Sequence, residues 1–248
     1  IWKPSSKTPL TAIAIQKMVA RVTEAHDLPE GIFNVVIGRG REIGGLLLRD
    51  KRIALVSVTG STAVGRHAAG VVAERLGKSI LELGGNNAII VTESANLQLA
   101  VAAIVFSAVG TAGQRCTTTR RVIIAESIYD KVKDALVRAY ATLRIGSPLE
   151  ERNHMGPLID RRAVEGYRQA LESLKQQGGT ILFGGRVFDG EEFSSGCYVE
   201  PVLAEAENHF PIVQEETFAP ILYLIRYSGG VESAIALQND VAQGLSSS

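Results

Sequence analysis

Along this chain two apolar periodicities take turns, one helical and one extended, from Thr8 to Asn239. Such alternation leaves few architectures open. Strand–helix–strand units pack as layers around a largely parallel sheet, so an α/β fold is expected. Thr8 to His26 sets Leu10, Ile13, Ala14, Met18 and Val22 on a helical stripe. Pro29 and Gly31 end it and lead into an expected strand, Phe33 to Ile37. A short helix around Ile43 to Arg49, a strand Ile53 to Val58, a turn at Thr59-Gly60-Ser61-Thr62 and a helix Ala63 to Arg75 follow.

Ile80 to Leu83 and Ala88 to Val91 are short apolar runs parted by Gly84, Gly85 and two asparagines. The helix Leu97 to Val109, the strand Val122 to Ala125, the helix Ile128 to Leu143 and a proline-containing loop to Ile159 come next. The helix Ala163 to Gln177, the strands Thr180 to Phe183 and Pro220 to Arg226, and the helix Val231 to Asn239 complete the pattern. No repeat or low-complexity linker interrupts it. A domain boundary is expected at Gly84-Gly85, where two glycines permit a hinge-like backbone path.

Charge excludes some partners. Lys and Arg number 26 against 26 Asp and Glu, and the longest cationic runs are pairs such as Arg120-Arg121, so nucleic acid is not an expected partner. No apolar run approaches the roughly 20 residues that span a bilayer, and no membrane association is expected. Two cysteines, Cys116 and Cys197, fit a reducing, cytoplasmic-type compartment better than a disulfide scaffold. The four histidines are scattered without metal-ligand spacing, and no metal site is expected.

Chemistry then rests on a few positions. Cys116 follows Gly110, Gly113, Gln114 and Arg115 and precedes three threonines, the setting of a tight accessible loop. The neighbouring cation of Arg115 favours the thiolate that attacks carbonyls, although a lone cysteine is also an ordinary small hydrophobe. Cys197 reads as structural. Glu82 interrupts an apolar strand just before two glycines. In a partly dry site its carboxyl would suit general-base work; simple alternation towards solvent is the plainer account. Thr59-Gly60-Ser61-Thr62 with Gly65 offers free N–H groups and a hydroxyl to a pyrophosphate, or merely caps the next helix, and no G-x-G-x-x-G follows a strand. Trp2-Lys3-Pro4-Ser5 and Gln214 to Pro220 are either site loops or solvated turns.

The order of these motifs resembles one family. Leu28-Pro29-x-Gly31-x-Phe33-Asn34-Val35-Val36, Thr59-Gly60-Ser61-Thr62-x-x-Gly65, Leu81-Glu82-Leu83-Gly84-Gly85-Asn86, Gly113-Gln114-x-Cys116 and Glu216-x-Phe218-x-Pro220 are similar to motifs of the aldehyde dehydrogenases. The resemblance implies an NAD-binding part over residues 1–84 and most of the catalytic domain over 85–248. It implies NAD(P)-dependent aldehyde oxidation through a thiohemiacetal and thioester on Cys116, with Glu82 as the base for deacylation. It places Lys3 on the adenosine-side ribose and Glu216 on the nicotinamide-side ribose. Ser61 falls on the pyrophosphate with Thr59, Gly60 and Gly84 as further cofactor contacts, and Phe218 beside the nicotinamide.

Within that family the chain is most similar to the antiquitin subgroup, α-aminoadipic semialdehyde dehydrogenases of lysine catabolism. Val109 to Thr118, Glu82 to Ile90, Glu216 to Tyr223 and Gln243 to Ser248 carry the likeness. An arginine beside the nucleophile then acquires a purpose, since the Arg115 guanidinium can grip the distant carboxylate of an amino-acid semialdehyde. The subgroup leans towards NAD, while neutral Ser6, three positions after Lys3, admits NADP. The resemblance also implies a homo-oligomer and a longer chain extending beyond Ile1 and Ser248. That length would include an oxyanion-hole asparagine, so the polypeptide alone is expected to be inactive. A cysteine hydrolase or acyltransferase with a histidine base, and a non-catalytic nucleotide-binding remnant, are the competing readings.

Overall fold

Pro9 at the first helical position suits a helix start, where its missing N–H leaves no bond unmade, and α1 (Pro9–Ala25) begins there. Residues 1–248 are all described by the computed structural model. Their contacts divide the chain into two units, Ile1–Leu83 and Gly84–Ser248.

In the first unit α1 is followed by α2 (Gly45–Arg49), β1 (Leu55–Thr59), α3 (Thr62–Glu74) and β2 (Lys78–Glu82). β1 and β2 pair in parallel, Leu55 opposite Lys78 and Thr59 opposite Glu82. One expectation fails here. The segment Phe33 to Ile37 is not a strand, because its one ladder partner is Trp2, whose N–H donates to Asn34 O while its O accepts from Val36 N. The helix expected over Thr8 to His26 forms as α1, and its apolar stripe lies at the surface, with Leu10, Met18 and Val22 exposed and Ala12 the buried residue.

The second unit runs β3 (Asn87–Val91), α4 (Leu97–Val109), β4 (Thr119–Ala125), α5 (Tyr129–Ala141), α6 (Arg161–Gln176), β5 (Thr180–Phe183), β6 (Val202–Glu205), α7 (Pro211–Gln214), β7 (Ile221–Tyr227) and α8 (Val231–Asn239). Its sheet has the order β3-β4-β7-β6-β5. β3, β4, β7 and β6 are parallel, and β5 closes the edge antiparallel to β6. Central β4 and β7 are covered on both faces, which is why Val122, Ile123, Ile124 and Leu222 form continuous apolar runs instead of alternating. β6 and α7 are absent from the sequence reading. Val202-Leu203-Ala204 is too short a run to announce a strand, and α7 is a single turn opened by Pro211.

Candidate active site

The segment that carries Cys116 is set by an unusual backbone path. α4 stops at Val109, and Thr111 (φ 54°), Ala112 (φ 53°) and Gly113 (φ 69°) follow in left-handed conformation. Two non-glycine residues there store strain, and such strain persists only where surrounding contacts over-determine it. Gly113 itself admits no side chain, because a Cβ would overlap the carbonyl of Ala219 and the nitrogen of Pro220. Thr118 closes the turn twice, its N–H donating to Arg115 O at 3.1 Å and its Oγ1 accepting from Arg115 N at 3.1 Å. Cys116 sits half-buried at the tip, and its N–H has no protein acceptor. Cys197 is buried, with its thiol on Ser195 O.

The loop is gripped from two directions. The Asn87 amide donates to Cys116 O at 2.7 Å and Thr118 O at 2.8 Å, while Asn87 Oδ1 accepts from Ser246 N. Gly85 must stay bare, since a Cβ would strike Cys116 O. From the other side Arg120, 2% exposed, donates to Arg115 O at 3.2 Å and to Thr217 O. Its Nη2 also meets Glu216 Oε1 at 3.3 Å, and its guanidinium lies 5.6 Å from the centroid of Phe218. Burial pushes the Arg120 guanidinium down from its usual range while the Glu216 carboxylate opposes that shift.

Arg121, fully buried, turns the opposite way. It donates to Asn86 O at 2.8 Å, Asn208 Oδ1 at 2.8 Å and the α8 carbonyls of Leu237 and Gln238. These carbonyls sit at a helix C-terminus, the end that favours a cation.

Glu216 accepts the Gly85 N–H at 3.1 Å through the same Oε1, so its second oxygen carries no hydrogen bond. A bare Gly84 faces that second oxygen. Phe218 is exposed on the same segment. Cys116, Glu216, Phe218 and Gly84 thus share one neighbourhood through Asn87, Gly85 and Arg120. Arg115 is exposed, and its side chain bonds to none of these residues. Its Nε donates to Thr111 Oγ1 at 2.8 Å, its guanidinium stands 5.9 Å from the Phe106 ring, and its terminal nitrogens are free. It reaches a cavity of about 820 Å³ between α4 and α5, whose wall does not include Cys116.

The first unit carries the other expected positions. Ser61 caps α3, its Oγ accepting from Val64 N, beside the unpaired first-turn N–H groups. Thr59 and Glu82 end the paired strands, joined by the Gly60 N–H on Glu82 O. Glu82 is exposed, so this unit does not supply the partly dry setting that the sequence argument required. The Lys3 ammonium donates to Pro4 O at 2.6 Å.

Asn86, Asn87, Arg120 and Arg121 escaped the sequence reading. Their signal was two asparagines and two arginines set directly against the apolar runs of β3 and β4, where a buried polar group must find partners.

Comparisons with known proteins agree on kinship. The model of the aldehyde dehydrogenase family matches residues 1–248. An α-aminoadipic semialdehyde dehydrogenase of Mus musculus is 47% identical over 249 residues, covering 100% of this chain and 45% of its own length. Aldehyde dehydrogenase family 7 member B4 of Arabidopsis thaliana is 46% identical over 248 residues, 100% of this chain and 48% of that protein. Among solved structures, betaine aldehyde dehydrogenase of Staphylococcus aureus in complex with NAD+ superposes with TM-score 0.93 at 31% identity, covering 99% of this chain and 48% of that one. The chain spans about half the length of the curated relatives it matches.

Proposed function

Since the chain belongs to the aldehyde dehydrogenase family, we propose that it carries the nucleophile and the general base of an NAD-dependent oxidation of a carboxylate-bearing semialdehyde. The observation that supports this best is Cys116 itself: a half-buried thiol on a strained turn, held by Asn87 at its own carbonyl and by buried Arg120 at the carbonyl of Arg115.

The residues present fit NAD. Glu216 keeps one carboxylate oxygen without a partner, as an acceptor for ribose hydroxyls must. The α3 N-terminus, with Ser61, offers N–H groups to a pyrophosphate. Phe218 has an exposed ring face for the nicotinamide. Thr59, Gly60, Gly84 and Lys3 complete the contacts, and neutral Ser6 leaves room for NADP as a second choice. Bound NAD+ supplies the hydride acceptor.

Cys116 as thiolate forms a C–S bond to the aldehyde carbon, and the unpaired Cys116 N–H donates to the oxygen that gains the charge. Loss of hydride from that carbon leaves a thioester on Cys116. Glu82 then takes a proton from water, whose oxygen bonds the acyl carbon as the C–S bond breaks. Cys116 returns as thiolate and the carboxylate leaves. In the unit that carries Cys116, His154 is occupied by Arg144, His209 meets Phe210 edge-on, and neither bonds Cys116.

Two measurements test this. Iodoacetamide should alkylate half-buried Cys116 at least about tenfold faster than buried Cys197, because access limits the rate, and NAD should protect it. Equal rates, or no protection, would overturn the nucleophile assignment. Semialdehyde recognition is assigned to the free terminal nitrogens of Arg115. Arg115→Ala should lower the protein's kcat/KM preference for carboxylate-bearing over neutral aldehydes by about 10- to 100-fold, the worth of a charge-assisted bond. An unchanged preference would remove Arg115 from the substrate site.

A further inference from the structure

The register between β3 and β4 slips at the site. Asn87 pairs with Thr119, and the next residue, Ala88, pairs with Arg121, so Arg120 is an extra residue with no partner on β3. A bulge of this kind re-aims a side chain. Two consecutive arginines beside it enter two different polar environments. Arg121 is used up on carbonyls and the Asn208 amide, with no carboxylate in its bonds. Arg120 lies among groups of the proposed chemistry instead. Its Nη2 spans Arg115 O, on the residue before the nucleophile, and the carboxylate of Glu216. Its Nη1 holds Thr217 O, on the residue before Phe218.

We propose that Arg120 is a positioning residue that fixes the Cys116 turn and the Glu216–Phe218 segment in one geometry. This rests on Cys116 being the nucleophile and Glu216 a cofactor ligand. A guanidinium is a planar fork, so bonds to Arg115 O, Thr217 O and Glu216 from one group leave the two segments little freedom to slide.

The test uses Arg120→Met and Arg120→Lys, reading Cys116 alkylation by iodoacetamide at one pH and the NAD concentration that gives half-protection. Arg120→Met loses all three bonds and should raise that NAD concentration about tenfold or more. Arg120→Lys keeps the charge and loses the fork, and should raise it about fivefold. A folded Arg120→Met protein with wild-type half-protection overturns the proposal. Should the methionine variant fail to fold, a lysine variant with wild-type NAD protection overturns it equally. Wild-type protein whose Cys116 is neither selectively alkylated nor protected by NAD would instead refute the nucleophile assignment, which separates the two failures.

Discussion

Cys116→Ser should abolish aldehyde-dependent NADH formation, with a loss of at least about 10⁴-fold in the complete polypeptide, whereas Glu82→Gln should stall one step later. The first effect is large because a serine hydroxyl without a histidine base is almost wholly protonated near neutrality, and removing a nucleophile leaves only binding and charge stabilisation. The substitution is small and the Cys116 thiol donates no hydrogen bond, so folding should be unaffected. Glu82→Gln leaves thiolate attack intact and removes the proton acceptor for water. It should therefore release about one equivalent of NADH per site in a burst and then slow by about 10²- to 10⁴-fold, the usual worth of general-base catalysis. Stopped-flow absorbance separates the two. Steady turnover by Cys116→Ser would end the covalent mechanism; a glutamine variant without a burst would move Glu82 out of the deacylation step.

The second large effect concerns the fold of the site. Gly113→Ala adds one methyl group, and it should cost at least about 3 kcal/mol of stability or displace the Cys116 turn. Two terms add. An alanine at φ 69° bears roughly 1–2 kcal/mol of left-handed strain, in a stretch where Thr111 and Ala112 already carry it. The new Cβ would also overlap the backbone of Ala219 and Pro220, and backbone cannot rotate away as a side chain can. Ala219 and Pro220 lead into buried β7, so any shift propagates into the sheet. Urea denaturation, followed with Cys116 alkylation on the folded fraction, measures both. Destabilisation below about 1 kcal/mol together with native thiol reactivity would show that the turn is not held as tightly as its geometry implies.

Much of the fold was legible because its signals are local. The helix Leu97 to Val109 and the strand Thr180 to Phe183 match α4 and β5 to the residue, and the parallel α/β architecture follows from alternation. Ser61 was readable as either an anion contact or a cap, and its side chain does cap α3. The misses were non-local. Phe33 to Ile37 has a strand's composition but one bridge partner, and the helix read over Thr8 to His26 forms with its apolar stripe exposed, a point its spacing did not address. Burial depends on what packs opposite, which spacing along one element cannot specify.

The arginine pair marks the division most sharply. Read along the chain, Arg120-Arg121 is a modest surface charge; in three dimensions both side chains are buried and point to different ends of the site. The chain's own order of residues determines the alternating layers, the glycines that fit tight approaches and the chemical candidates at Cys116, Glu82 and Glu216, since each depends on neighbours within a few positions. Tertiary structure alone decides the β3–β4 bulge, the amide clamp of Asn87 on the Cys116 turn and the buried ion pair of Arg120 with Glu216. Those pairings join residues about 30 to 100 positions apart, and their strength comes from exclusion of water, a property of the packed interior that no single segment possesses.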